Sequence, residues 1–194
     1  MSSIFGHALI GAAIGKNAAS ENRKHEIFAC LLFSALCISP DLDYLPTWLA
    51  GVAMEPRYSH SIFGCLALSS LVLILRRHVF ISGLENISTW LILMAPLSHI
   101  SLDFFVGVHK NPIFWPIDSG SYAFSYGVLP SAGKLDFSNY YFWRNMMIEI
   151  GLLGSMALLI APKSRGIILK NKPWGLTILF IFLCCSLIGL NLER

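Results

Sequence analysis

Asp41 and Asp43 in SPDLDYLP, and His99 and Asp103 in LSHISLDFF, are the residues of this chain most suited to chemistry. His60 in RYSHS and His7 in FGHALIG add two imidazoles. All six stand within apolar runs or at their ends, where charged groups are costly and usually mark function. His99 and Asp103 are four apart, so on a helix they share one face. Asp41 and Asp43 flank Leu42 just after Pro40, and an extended or turning segment points alternate residues the same way. His60 opens the following apolar segment. A mixed His/Asp shell suits a divalent metal, Zn first and Mn or Fe next, better than Ca or Mg, which prefer oxygen alone. One to three ions fit this donor set, and two of them about 3.5–4 Å apart would clamp a phosphoester or activate a water.

Plainer readings exist for each piece. His7 on a Gly-rich helix is by itself more often a packed histidine. Asp41 and Asp43 could cap a Ser-Pro-Asp turn, and His99 with Asp103 could be a hydrogen-bonded helical pair. What favours one shared site is where the flanking elements put them.

Of the 194 residues, 55% are hydrophobic and only 13% charged, with a mean hydropathy of +0.64. A soluble domain carries about 25% charge, so the chain reads as an all-α, polytopic membrane helix bundle, one integral membrane domain over 1–194. Five apolar stretches, 27–39, 61–75, 87–106, 145–161 and 174–190, read as helices, preceded by a short one at 4–15. Spanning takes about 20 apolar residues. The third and fifth reach that length and the first two are short. Gly11 and Gly15 have the spacing that lets helices approach closely. Segment 107–144, with Pro112, Pro116, Pro130 and many aromatics (Tyr126 among them), reads as a cap at the membrane interface, where Trp and Tyr are favoured.

Basic residues cluster at 16–24, at Arg76/Arg77 and at 163–172, always between apolar runs. That is a positive-inside pattern and not a nucleic-acid surface, so no nucleic-acid partner is expected. If the segments alternate, the same orientation gathers Asp41, Asp43, His60, His99 and Asp103 at the opposite, non-cytoplasmic face, with His7 joining them. His25 and His78 fall with the basic groups and read as solvated loop residues. No cleavable signal peptide is apparent. The five cysteines lie in apolar runs without a Cys-x-x-Cys pair and read as packing residues.

The order His7/Gly11, Pro40–Asp43, the Arg57–Ser61 segment around His60, His99/Asp103 and Trp115-Pro116 resembles the YdjM-like family of membrane-bound, metal-dependent hydrolases. The motifs cover about the first 120 residues. The family's usual His-Arg-x-x-Thr-His-Ser stands here as Glu-Pro-Arg-Tyr-Ser-His-Ser, its first histidine replaced by Glu55 or Pro56. The family is distantly similar to zinc-dependent phospholipases C and fungal zinc nucleases, which add a later His-x-x-x-Glu pair. Asn145 and Glu149 fill that spacing, which makes Glu149 a candidate ligand or general base; the alternative is a carboxylate held by Arg144. His109, at the cap entrance, is a further candidate.

The resemblance implies a bacterial inner-membrane enzyme acting on a phosphoester of a lipid or lipid-linked substrate, with membrane lipids around it. Asp43 or Glu149 would then take a proton and Arg57 would neutralise phosphoryl charge. The competing expectation is a non-enzymatic membrane scaffold or stress-response partner that keeps the donors for folding. Metal transport is weaker, because the carboxylates gather at one face.

Overall fold

A computed structural model describes residues 4–19, 22–52, 57–79, 83–107, 109–124, 127–129 and 137–192. Glu55, Pro56, Tyr126 and Pro130 lie outside the described residues. The architecture is all-helical: α1 (Ile4–Ala18), α2 (Arg23–Ile38), α3 (Leu45–Ala50), α4 (Ile62–His78), α5 (Thr89–Phe105), α6 (Tyr140–Ile160), α7 (Pro162–Lys170) and α8 (Lys172–Leu190). Two short 3-10 turns, Ser39–Tyr44 and Tyr58–His60, join α2 to α3 and lead into α4.

Local signals account for the helix starts. Asn22, Ser61 and Asn139 sit at N-caps, and their side-chain oxygens accept from Lys24, Gly64 and Tyr141 N–H at 2.9 Å each. Such caps satisfy donors that the first turn leaves open. Asn139 also explains why α6 starts at Tyr140 and not near 145, so Tyr140, Tyr141 and Trp143 belong to a helix and not to the loop. Pro162 at the first position of α7 makes a short helix of a stretch expected to be a loop.

Among the described residues, three segments are long and apolar enough to cross a membrane: Arg23–Thr47, Tyr140–Ile160 and Lys172–Leu190. The expectation that the first stretch is short and the third long is reversed. The first gains length because the chain continues from α2 through the 3-10 turn into α3. The third starts only at Thr89, after Ser88, and has 17 residues.

The main core lies between α2 and α5, where Phe33, Leu36, Ile92 and Ala95 are buried together with Leu84 and Ile87. α1 lies against α2 through its glycines. A Cβ at Gly11 would stand 2.5 Å from Ser34 Cα, and one at Gly15 would stand 2.5 Å from Cys30 Cα. Only a residue without a side chain allows that approach. Ser34 Oγ adds a hydrogen bond to Ala8 O at 2.9 Å.

Within α5, Pro96 has no N–H to give the Ile92 carbonyl. Ser69 of α4 donates to that carbonyl instead, at 3.0 Å. The Cys37 and Cys65 thiols reach Ala95 O and Pro96 O at 3.3 and 3.2 Å. At the other end of α4, Arg76 donates to Ile87 O and Thr89 Oγ1. His25 is half-buried on α2 and donates to Gly83 O at 2.9 Å, which corrects its reading as a solvated loop residue.

The segment after α5 folds back on the ends of α4 and α5. Main-chain hydrogen bonds join Ile62 N to Ile113 O, Phe124 N to Phe104 O and Leu129 N to Val106 O. Asn111 and Tyr122 form an isolated antiparallel bridge. Trp115 packs on Tyr58 with ring centroids 4.2 Å apart. The Tyr122 hydroxyl donates to Asp118, and that hydrogen bond holds the Asp118 carboxyl below its ordinary pKa.

Candidate metal centre

Four short stretches of chain bring the predicted site residues together: the start of α1 (His7), the 3-10 turn after α2 (Asp41, Asp43), the turn before α4 (Arg57, His60) and the last turns of α5 (His99, Asp103). His7, Asp41, His60, His99 and Asp103 are all buried.

His99 Nδ1–H donates to Cys37 O at 2.7 Å, which assigns the ring its tautomer and leaves Nε2 with a lone pair. Nε2 is 3.2 Å from His60 Nε2, 3.5 Å from Asp103 Oδ2 and 3.7 Å from Asp41 Oδ1. His60 Nε2 is 3.3 Å from Asp41 Oδ1 and 3.7 Å from Asp103 Oδ2. These five separations can be set against the edge of a tetrahedron. With metal–ligand distances near 2.0–2.1 Å, that edge is about 3.3–3.4 Å. The two imidazoles therefore stand at about coordination spacing from each other and from both carboxylates.

A second group, His7, Asp41 and His99, also has its donor atoms within 4.8 Å of one another. The His7 ring stacks on His99 with centroids 3.7 Å apart, and His7 Nε2 lies 3.4 Å from Asp103 Oδ1. Because His99 has one free lone pair, it can serve only one of the two groups at a time.

Asp43 stands one imidazole behind the four atoms. Its Oδ2 is 3.2 Å from His60 Nδ1 and accepts from Ser59 Oγ at 2.6 Å. Arg57 spans both Asp43 oxygens, Nε to Oδ2 at 3.2 Å and Nη2 to Oδ1 at 3.1 Å. The same Nη2 lies 3.4 Å from Asp41 Oδ1 and touches the His60 ring, while the guanidinium carbon sits 3.8 Å over the Tyr44 ring.

The split between Asp41 and Asp43 corrects the expectation that both point the same way. In a 3-10 turn successive side chains advance about 120°, so residues two apart diverge. Asp41 is buried and Asp43 is partly exposed at the rim.

Glu149 is buried on α6 against Gly6, the residue before His7, and belongs to neither donor group. Arg144 donates twice to Asn145 Oδ1, both at 3.1 Å, and lies over the Tyr141 ring. His109 is exposed and joins neither group.

Three contributors escape sequence reading. Ser59 and Tyr44 flank Asp43 and Arg57, and Asn111 is buried with its amide 3.4 Å from Asp103 Oδ2. The only signal for Ser59 was its place beside His60; neutral polar residues in turns carry no periodicity.

The chemistry of the pocket suits a cation. Asp41 Oδ2 is buried with no hydrogen-bond partner among the described residues. Taking the imidazoles as neutral, three carboxylates face one guanidinium, a formal excess of two negative charges. Uncompensated buried charge costs several kcal/mol per ion, and a divalent cation would supply the balance.

Fold and site together define an all-helical membrane protein with buried His/Asp clusters that could bind a metal ion. A family model described as YdjM inner membrane protein matches residues 1–193. The chain belongs to that family. The match runs well past the motif-bearing first 120 residues. No curated protein and no solved structure matches the chain.

Proposed function

We propose that the protein is a membrane-bound, metal-dependent hydrolase that cleaves a phosphoester of a lipid or lipid-linked substrate. The observation that carries this reading is the set of buried His and Asp donors at coordination spacing. His60, His99, Asp41 and Asp103 would hold the ion, most simply Zn, and His7 with Asp103 Oδ1 would extend the site toward a second. A bound divalent ion supplies Lewis acidity and lowers the pKa of water.

The chain's own residues divide the remaining work. Cys37 O fixes the His99 tautomer. Asp43 does the same for His60 by accepting its Nδ1–H, the arrangement in which a carboxylate orients a ligating imidazole. Asp43, at the rim and outside the four-atom set, would take the proton. Glu149 remains a second candidate base from α6. Arg57, held by Asp43 and Tyr44, would meet a phosphoryl oxygen with its charge. By the positive-inside pattern the site faces the non-cytoplasmic side of the inner membrane.

One observation favours the scaffold alternative. Two imidazoles and two carboxylates on one ion would close its shell, and structural sites are closed in this way, whereas catalytic ones keep a position open. The three-donor His7/Asp41/His99 group keeps one open. The test is a phosphoester panel on detergent-purified protein, with bound metal measured alongside. Asp103→Asn should abolish turnover and lower bound metal together, since a neutral amide oxygen replaces a charged ligand. Arg57→Lys should keep the metal and slow turnover roughly 10- to 1000-fold, as a point charge replaces a planar fork. Metal-loaded wild type that cleaves nothing on the panel, with four protein donors and no water in its X-ray absorption shell, makes the scaffold the better reading.

A further inference from the structure

A groove of about 640 Å³ lies at the other end of α1 and α6 from the His/Asp cluster. It has walls from α1 (Leu9, Ala13), α6 (Gly154, Leu158) and α8 (Ile178, Ile181). Small residues make it. A Cβ at Gly154 would meet nothing beyond its own helix within 4 Å, the nearest atom being Ile150 Cγ2 at 3.9 Å.

Two polar groups along the walls are already engaged. Ser155 Oγ donates to Gly151 O at 2.6 Å, and Cys30 Sγ reaches Ala12 O at 3.4 Å. Lys16 and Ser164 stand together at one end, where Asn17 ties α1 to the C-terminus of α6 by donating to Ile160 O at 2.9 Å. Lys16 is exposed there, and Arg165, also exposed, follows Ser164.

The dimensions identify an occupant. From Ile150 to Ala161 the groove follows α6 for eleven residues, roughly 16 Å at 1.5 Å per residue. Half of a bilayer's hydrocarbon core is about 15 Å. One lipid leaflet therefore matches the groove's length, with the basic end at headgroup depth. Its apolar wall suits an acyl chain, and a Lys ammonium beside a Ser hydroxyl suits an anionic phosphate.

We infer that this groove is a binding site for an anionic phospholipid of the leaflet on the basic side, its acyl chain between α1, α6 and α8 and its phosphate at Lys16 and Ser164. The site does not depend on the His/Asp cluster, and the lipid held there is not the substrate.

Native mass spectrometry of delipidated protein offered dioleoyl-phosphatidylglycerol or dioleoyl-phosphatidylcholine tests the assignment. Wild type should retain at least about 10-fold more of the anionic lipid, as expected for a 1.4 kcal/mol preference. Lys16→Gln should erase that preference. Gly154→Leu, which fills the groove, should reduce retention of both lipids; helical content by circular dichroism checks its fold, and Lys16→Gln decides alone if it misfolds. Equal retention of the two lipids by wild type, or undiminished preference in Lys16→Gln, overturns the inference.

Discussion

His60 and His99, 39 residues apart in the chain, present their Nε2 atoms to each other at 3.2 Å. The Nδ1–H of His99 is committed to Cys37 O, and that of His60 has Asp43 beside it. His99 Nε2 then carries a lone pair, His60 Nε2 is in contact with Arg57 Nη2, and an ion held by both imidazoles would tie α4 to α5. Metal removal should therefore destabilise the protein. With metal at 100 times its Kd, stripping it costs about 2.7 kcal/mol. A chelator should lower the thermal midpoint of wild type and leave that of His99→Ala, with at least about 10-fold less bound metal, unchanged. A wild-type midpoint indifferent to the chelator would sink the metal reading.

Asn111 reaches Asp103 from a cap held by its bridge to Tyr122, with main-chain hydrogen bonds of 2.9 and 2.8 Å. Partners behind a ligand typically contribute 10- to 100-fold in metal affinity. Asn111→Ala should weaken metal binding by about that factor in a competition titration without changing helical content. Unaltered affinity would mean that the cap does not tune the site.

The glycines of α1 and α7 should respond in opposite ways. At Gly11 a side chain would press on the backbone of α2, so Gly11→Val should destabilise by about 1–3 kcal/mol, the range for overpacking. A Cβ at Gly166 would meet nothing within 4 Å, so Gly166→Ala should stabilise by up to about 1 kcal/mol through helix propensity. Thermal unfolding in detergent separates them, and equal midpoints for the two variants would contradict the close approach of α1 and α2.

Orientation is open to labelling. In a cysteine-free background, Ser121→Cys should react with an impermeant thiol reagent added to cells whose outer barrier has been opened. Lys170→Cys should stay protected until the inner membrane is lysed. Equal reaction at both positions would reject the positive-inside assignment.

Much of the site was legible because titratable groups stand out in an apolar sequence. His7, Asp41, His60, His99 and Asp103 could be read from residue type, and the basic clusters suggested that they meet. Their division of labour was not legible. Asp-x-Asp looks symmetric on paper, and only the 3-10 turn buries Asp41 while leaving Asp43 at the rim to pair with Arg57. Asn111 escaped because its burial depends on a bridge made eleven residues downstream. The helices of the first and third apolar stretches, α2 and α5, depart from their apparent lengths for a related reason. Hydropathy marks where a segment is apolar, but Pro40 and Ser88 set where the helical path continues or begins.

Pro96 has a consequence for how the chain enters the bilayer. Inside hydrocarbon a carbonyl without a donor costs several kcal/mol, and the Ile92 carbonyl finds its donor on Ser69 of α4. α5, with 17 residues, a proline, His99 and Asp103, is thus a poor insertion unit alone. α4 and α5 should pass from the translocon into lipid as one hairpin. A glycosylation-mapping reporter should find α5 translocated when fused without α4 and integrated when α4 precedes it, with Ser69→Ala shifting the balance toward translocation. Full integration of α5 on its own would show that the proline is tolerated without its neighbour.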